Sequence, residues 1–128
     1  MTLKYFTTSE FSCPCDSIEC SGNNMNNEFL KMLDKARDIA SVPFKITSGA
    51  RCKEYNNDLI KRGYKASKNS SHLKFVAADI SCKDSVSRYK IINSLLFVGF
   101  SRIGISDTFI HVDLDKDKEK SQDVIWTY

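Results

Sequence analysis

Asn69-Ser70-Ser71-His72-Leu73-Lys74-Phe75-Val76-Ala77-Ala78-Asp79-Ile80 passes from a polar loop into an apolar run, with a histidine near its start and an aspartate near its end. An ionised carboxylate inside such a run is costly to bury unless a cation, a metal or several donors match it. The stretch Phe75–Ser81 therefore reads as a buried strand with one chemically demanding position. Upstream, Phe29, Leu30, Leu33, Ala36 and Ala40 recur at three- and four-residue steps, with Lys31, Asp34, Lys35 and Asp38 opposite. That spacing predicts an amphipathic helix capped by Asn26 or Asn27 and stopped by Pro43. Phe44–Thr47 reads as a short strand entering a turn at Ser48-Gly49. A second helix is predicted over 53–62, ended by Gly63, with a loop over 64–71.

Downstream, 84–97 predicts a third helix with Val86, Tyr89, Ile92, Leu95 and Leu96 on its inner face and Gly99 after it. Arg102–Ile105 and Phe109–Leu114 read as two strands joined at Ser106-Asp107-Thr108. Asp115–Lys120 reads as a solvated charged run, and Val124–Trp126 as a final strand. The order α, β, α, β, α, β, β predicts an α+β fold with helices packed on a mostly antiparallel sheet.

The chain has 128 residues, 41% of them hydrophobic and 27% charged, which suits one domain over 1–128 with an ordinary core. No disulfide scaffold is required at this size. No apolar run approaches the ~20 residues that span a bilayer, so membrane insertion is not expected. Met1–Thr7 lacks the apolar core of a secretory signal, which predicts a chain made in the cytoplasm without an export address of its own. Nineteen Lys and Arg stand against 16 Asp and Glu, a net charge of +3 with the signs interspersed. Nucleic-acid binders show a clustered basic stripe instead, so that class of partner is not expected.

Five cysteines are unevenly placed: Cys13, Cys15 and Cys20 in an irregular loop over 13–27, with Cys52 and Cys82 alone. The first three with Cys52 suit a structural zinc site, although one residue between Cys13 and Cys15 is tighter than the usual two to four. They suit disulfides if the protein works outside the cytoplasm, and reduced thiols are the third reading. The odd total leaves at least one thiol unpaired, and Cys82 reads as a small buried hydrophobe.

Only two histidines occur, and each has an aspartate nearby. His72 precedes Asp79; His111 lies between Ile110 and Val112, with Asp113 on the same strand face two residues later. Two imidazoles and one or two carboxylates suit a tetrahedral zinc site that keeps its fourth position for water. Spacing leaves other readings open. The histidines could be hydrogen-bonded core residues, Asp79 could pair with Arg51 or a lysine, and Asp113 could be an edge-strand charge.

Four ordered stretches resemble the family of zinc D-alanyl-D-alanine carboxypeptidases and related murein peptidases, which share their fold with the hedgehog signalling domain. Short single-domain members from phages and prophages are the most similar. Phe6-Thr7-Thr8-Ser9-Glu10-Phe11-Ser12-Cys13 resembles their opening, and Ile46-Thr47-Ser48-Gly49-Ala50-Arg51 with Asn56 resembles "TSGYR…N". Residues 69–80 resemble "SxHxxGxAxD". Gly104-Ile105 with Phe109-Ile110-His111-Val112-Asp113 resembles "GIG…FVHVD", and Trp126 matches a tryptophan near the end.

The resemblance implies zinc held by His72, Asp79 and His111, with Arg51 binding the substrate carboxylate or the developing oxyanion. Ser70 is implied to touch substrate or to serve as a turn hydroxyl. Asp113 is implied to be the general base or to orient His111, and Asp107 is the other nearby carboxylate. Two positions depart from the pattern: Phe75 stands at the motif glycine, and Thr108 where the wider family has glutamate. A residue other than glycine at position 75 predicts a loop that differs locally.

The implied activity is zinc-dependent hydrolysis of bonds made by D-amino acids in the cell-wall stem peptide, by carboxypeptidase or endopeptidase action. The implied setting is a monomeric phage or prophage lysin, or a virion part, reaching the wall after release. Two alternatives remain open at this level. One is a zinc-holding, non-catalytic binding module on the same fold. The other is a cysteine-rich structural protein whose histidines belong to the core.

Overall fold

The computed structural model describes residues 2–128. Its elements run α1 (Asn27–Ala40), β1 (Ile46–Ser48), α2 (Lys53–Lys61), β2 (Ala77–Ser81), α3 (Ser85–Phe97), β3 (Arg102–Ile105), β4 (Phe109–Asp113) and β5 (Val124–Thr127). No helix among the described residues is long and apolar enough to cross a membrane.

Local chemistry sets the ends of α1. Asn26 Oδ1 accepts from the Phe29 N–H at 2.9 Å, and Ser41 closes the helix in a left-handed conformation before Pro43. Its apolar stripe, Phe29, Leu30, Leu33, Ala36 and Ala40, is buried as the periodicity predicts.

The inner face of α3 differs from the expected one. Val86, Tyr89 and Leu96 are 67%, 72% and 48% exposed, whereas Ile91, Ser94 and Leu95 are buried. The helix is apolar on several sides, so a count of apolar residues does not choose the face. A small residue chooses it: Ser94 returns its hydroxyl to the Ile91 carbonyl at 2.8 Å, which satisfies the group internally and lets α1 approach.

The five strands form one sheet in the order β1-β2-β4-β3-β5. Every pair is antiparallel except β3 with β5, so the expected α+β architecture holds with one parallel edge. Alternation along each strand sorts the residues onto two faces. Ala78, Ile80, Ile103, Ile110 and Val112 join the helices in the core. Asp79, Arg102, Gly104, His111 and Asp113 are left together on the other face. Register then makes them neighbours, because Asp79 and Gly104 both pair with His111, and Arg102 pairs with Asp113.

β2 starts at Ala77, two residues later than predicted. Ser71–Lys74 makes a single 3-10 turn, and Phe75 follows at φ 61° and ψ 33°. The backbone therefore keeps the left-handed conformation a glycine would favour, with phenylalanine accepting strain of about 1–2 kcal/mol. The expected local difference in this loop lies in the added side chain, since Phe75 still bonds His72 and Asn26 through its backbone.

The run Asp115–Lys120 also departs from its reading as a solvated stretch. Asp115 is 3% exposed and accepts from Ser71 Oγ at 2.7 Å, Lys74 Nζ at 3.1 Å and Lys120 Nζ at 2.9 Å. These partners outweigh burial and hold its carboxyl well below the usual carboxylate range.

Candidate metal centre

The 3-10 turn after Ser70 delivers His72, β2 delivers Asp79, and β4 delivers His111. One ligand atom from each lies within 4.8 Å of the other two. His72 Nε2 is 3.3 Å and His111 Nδ1 is 3.0 Å from the same Asp79 oxygen, Oδ1. All three residues are buried.

Each of the three side chains is held from behind. His72 Nδ1 donates to the Gly49 carbonyl at 2.7 Å, which leaves Nε2 as the free donor atom facing the centre. The approach that makes this bond possible needs a glycine, because a Cβ at position 49 would lie 2.6 Å from the Phe11 carbonyl oxygen. His111 Nε2 donates to Asp113 Oδ2 at 2.7 Å, so Nδ1 faces inward. Arg51 Nη2 sits 3.3 Å from Asp79 Oδ2, which occupies that oxygen and leaves Oδ1 to the histidines. Two nitrogens and one carboxylate oxygen, with their tautomers set by outer partners, fit a zinc ion with an open fourth position.

The charges of Asp79 and His72 agree with that arrangement, whereas His111, facing two carboxylates, must give up a proton to bind metal. Burial opposes the Asp79 charge, but His72 and His111 hold its carboxyl well below the usual carboxylate range. Burial lowers His72, keeping it neutral as a ligand must be. His111 is raised, since Asp113 and Asp79 outweigh its burial.

Asp113 does not present a free oxygen. Oδ2 takes the His111 proton, while Oδ1 accepts from Arg102 Nε at 2.7 Å and from the Asp115 N–H at 3.0 Å. Asp107 and Thr108 lie exposed in the β3–β4 turn, and neither lines the pocket above the three donors. Ser70 Oγ accepts from the His72 N–H at 3.2 Å, the turn role, while Ser70 also lines the pocket. Arg51 is 6% exposed and spends three N–H groups on Ser48 Oγ, Asn56 Oδ1 and Asp79 Oδ2. A guanidinium has about five N–H donors, so about two remain for a ligand.

The pocket measures about 700 Å³. Arg102, Trp126, Tyr128, Lys65, Lys120 and Glu119 join its lining, and of these the sequence pointed only to Trp126. Trp126 packs at a tilt beside the His111 ring, 5.5 Å between centroids, and lies under the Arg102 guanidinium at 5.1 Å. It reaches them because β5 pairs Trp126 beside Gly104, where a Cβ would come within 2.6 Å of the indole Nε1. Gly104→Ala should therefore push the indole off His111 and destabilise the fold by about 1–3 kcal/mol, read from urea unfolding curves. Unchanged stability and unchanged tryptophan fluorescence would remove Trp126 as a packed wall.

A family model described as Peptidase M15 matches residues 4–113, which includes every residue expected to hold metal. No curated protein matches the chain.

Proposed function

The chain belongs to the peptidase M15 family, and from that premise we propose that it hydrolyses the stem peptide of the bacterial cell wall with a zinc ion held by His72, Asp79 and His111. The observation that carries this reading is the convergence of those three donor atoms within 4.8 Å at the floor of a pocket that also contains Arg51. Zinc, when bound, supplies Lewis acidity that polarises a peptide carbonyl and makes water acidic enough to attack it.

The remaining work falls to the chain. Arg51, with about two uncommitted N–H groups, neutralises a substrate carboxylate or the charge that develops on the scissile carbonyl oxygen. Asp113 accepts from the His111 Nε2–H and so holds Nδ1 toward the metal; three hydrogen bonds on its two oxygens favour a positioning role over that of general base. Trp126 and Tyr128 line one side of the pocket, and Lys65, held on Ser106 Oγ at 3.2 Å, adds positive charge suited to an anionic peptide. Bonds made by D-amino acids are the expected targets, in carboxypeptidase or endopeptidase mode. The setting we favour is a phage or prophage lysin, or a virion part, that meets the wall after leaving the cell that made it.

Purified stem peptides ending in D-alanyl-D-alanine, and disaccharide-linked stem peptides, give the test. Zinc-loaded protein should release D-alanine from the first or split the second at an internal bond, followed by mass spectrometry. Zinc binding without cleavage of either would replace the enzyme with a binding module on the same scaffold.

A further inference from the structure

We propose that Cys13, Cys15, Cys20 and Cys52 form a second metal site, a structural zinc centre of four thiolates that fastens the N-terminal loop to the start of α2. Their sulfur atoms all lie within 4.8 Å of one another. Cys15 Sγ is 3.0 Å from Cys20 Sγ and 3.8 Å from Cys52 Sγ, and Cys13 Sγ is 4.0 Å from Cys52 Sγ. A tetrahedron of sulfurs with Zn–S bonds of ~2.3 Å has edges of about 3.8 Å, close to two of these three separations. Cys15 and Cys52 each have two sulfur neighbours, so the four thiols make one cluster rather than two separate pairs. Cys82 lies apart, buried with its thiol on the Asp84 carbonyl, which accounts for the odd cysteine.

The backbone is organised around the cluster. The Asp16 N–H closes a turn on the Cys13 carbonyl at 3.2 Å, which solves the tight spacing of Cys13 and Cys15 by curling the chain between them. The Cys13 N–H donates to the Cys20 carbonyl at 3.0 Å and draws in the third sulfur. The fourth comes from across the chain. The Ala50 N–H donates to the Phe11 carbonyl at 2.7 Å, and two residues further along both segments Cys13 faces Cys52. Cys52 caps the nine-residue α2, where the Tyr55 N–H donates to its sulfur at 3.3 Å. A negatively charged sulfur is favoured at that helix end.

The loop has reason to need such a fastening. Between Cys13 and α1 its only helical elements are short 3-10 turns, Ile18 is 85% exposed, and only Cys13, Cys20, Gly22 and Met25 are buried. Loops so poor in apolar contacts take their order from cross-links or metals. The site also lies next to the pocket. Arg51 precedes Cys52, and the Arg51 N–H donates to the His72 carbonyl at 3.2 Å, so ordering Cys52 orders both ends of that bond.

Zinc content per chain, measured after purification without added metal or chelator, tests the proposal on wild type, Cys15→Ser and His111→Ala. The expected counts are two, one and one. Cobalt in place of zinc should show thiolate-to-cobalt charge-transfer absorption that persists in His111→Ala and vanishes in Cys15→Ser. Cys15 is exposed, so its serine variant is the least disruptive of the four. If that variant nevertheless misfolds, thiol labelling of wild type decides: four thiols should gain reactivity when a strong chelator is added. Equal zinc in wild type and Cys15→Ser, labelling that ignores the chelator, or a non-reduced mass short of two hydrogens per cysteine pair would each overturn the site. Because the thiolate signal survives loss of His111, its failure is separable from failure of the peptidase reading.

Discussion

His111→Ala should strip the histidine site of its zinc and abolish peptide hydrolysis, with the metal bound by the cysteines left in place. The expectation follows from how little redundancy the site has. The centre has three donor atoms, and Asp79 Oδ1 faces both histidines, so removing His111 leaves two donors and an aspartate that has lost one partner. Loss of an outer partner typically weakens metal binding by ~10–100-fold, and loss of a direct ligand should exceed that. Withdrawal of Lewis-acid assistance worth several kcal/mol then lowers the rate by ~1,000-fold or more. Metal analysis and stem-peptide cleavage on the same preparations check both parts, with circular dichroism confirming the fold. His72→Ala and Asp79→Ala should behave alike, although Asp79→Ala also frees Arg51 Nη2 and should be the least stable of the three. Retention of full zinc by His111→Ala would refute the assignment.

The three candidate donors stood out in the sequence because chemistry restricts where such residues can sit. An aspartate between alanine and isoleucine in an apolar strand must have a partner, but spacing left Arg51, a lysine and the two histidines all open, and the resemblance alone picked out the histidines. What surrounds the ligands was less legible, because it depends on register. Arg102 reaches Asp113 only when β3 pairs with β4 as observed, and Trp126 reaches His111 only because β5 adds in parallel to β3. Neither pairing leaves a mark in local periodicity. The same limit explains α3, where a buried serine rather than the apolar count chose the face. Cys13 and Cys52 are 39 positions apart, and a shared backbone bond between Phe11 and Ala50 brings them together. Phe75 shows the converse: a residue that disfavours a left-handed backbone adopts one where its neighbours fix it by hydrogen bonds.

Asp113→Ala distinguishes positioning from proton transfer, and zinc rescue is the readout that separates them. Its two oxygens accept hydrogen bonds from His111 Nε2, Arg102 Nε and the Asp115 N–H, and its side chain is fully buried. Removing it leaves Arg102, 12% exposed, without its carboxylate, and should destabilise the protein by about 3 kcal/mol. It also releases the His111 ring, whose Nδ1 then no longer points by default at the centre. Zinc affinity should fall by ~10–100-fold. Activity measured at limiting zinc should fall in parallel, and raising free zinc should restore most of it, since the ring still supplies its donor atom once the metal holds it. A general base leaves a different signature, in which zinc affinity stays near wild type and kcat stays ~100-fold or more below it at saturating metal. The same titration on Arg102→Met gives the control. That variant keeps Asp113 and its bond to His111, loses the guanidinium that anchors the other oxygen, and should weaken zinc less than Asp113→Ala does. An equal loss in both variants would place the essential contact at the Arg102–Asp113 pair. A smaller loss in Arg102→Met would place it at His111 Nε2, where the geometry puts it.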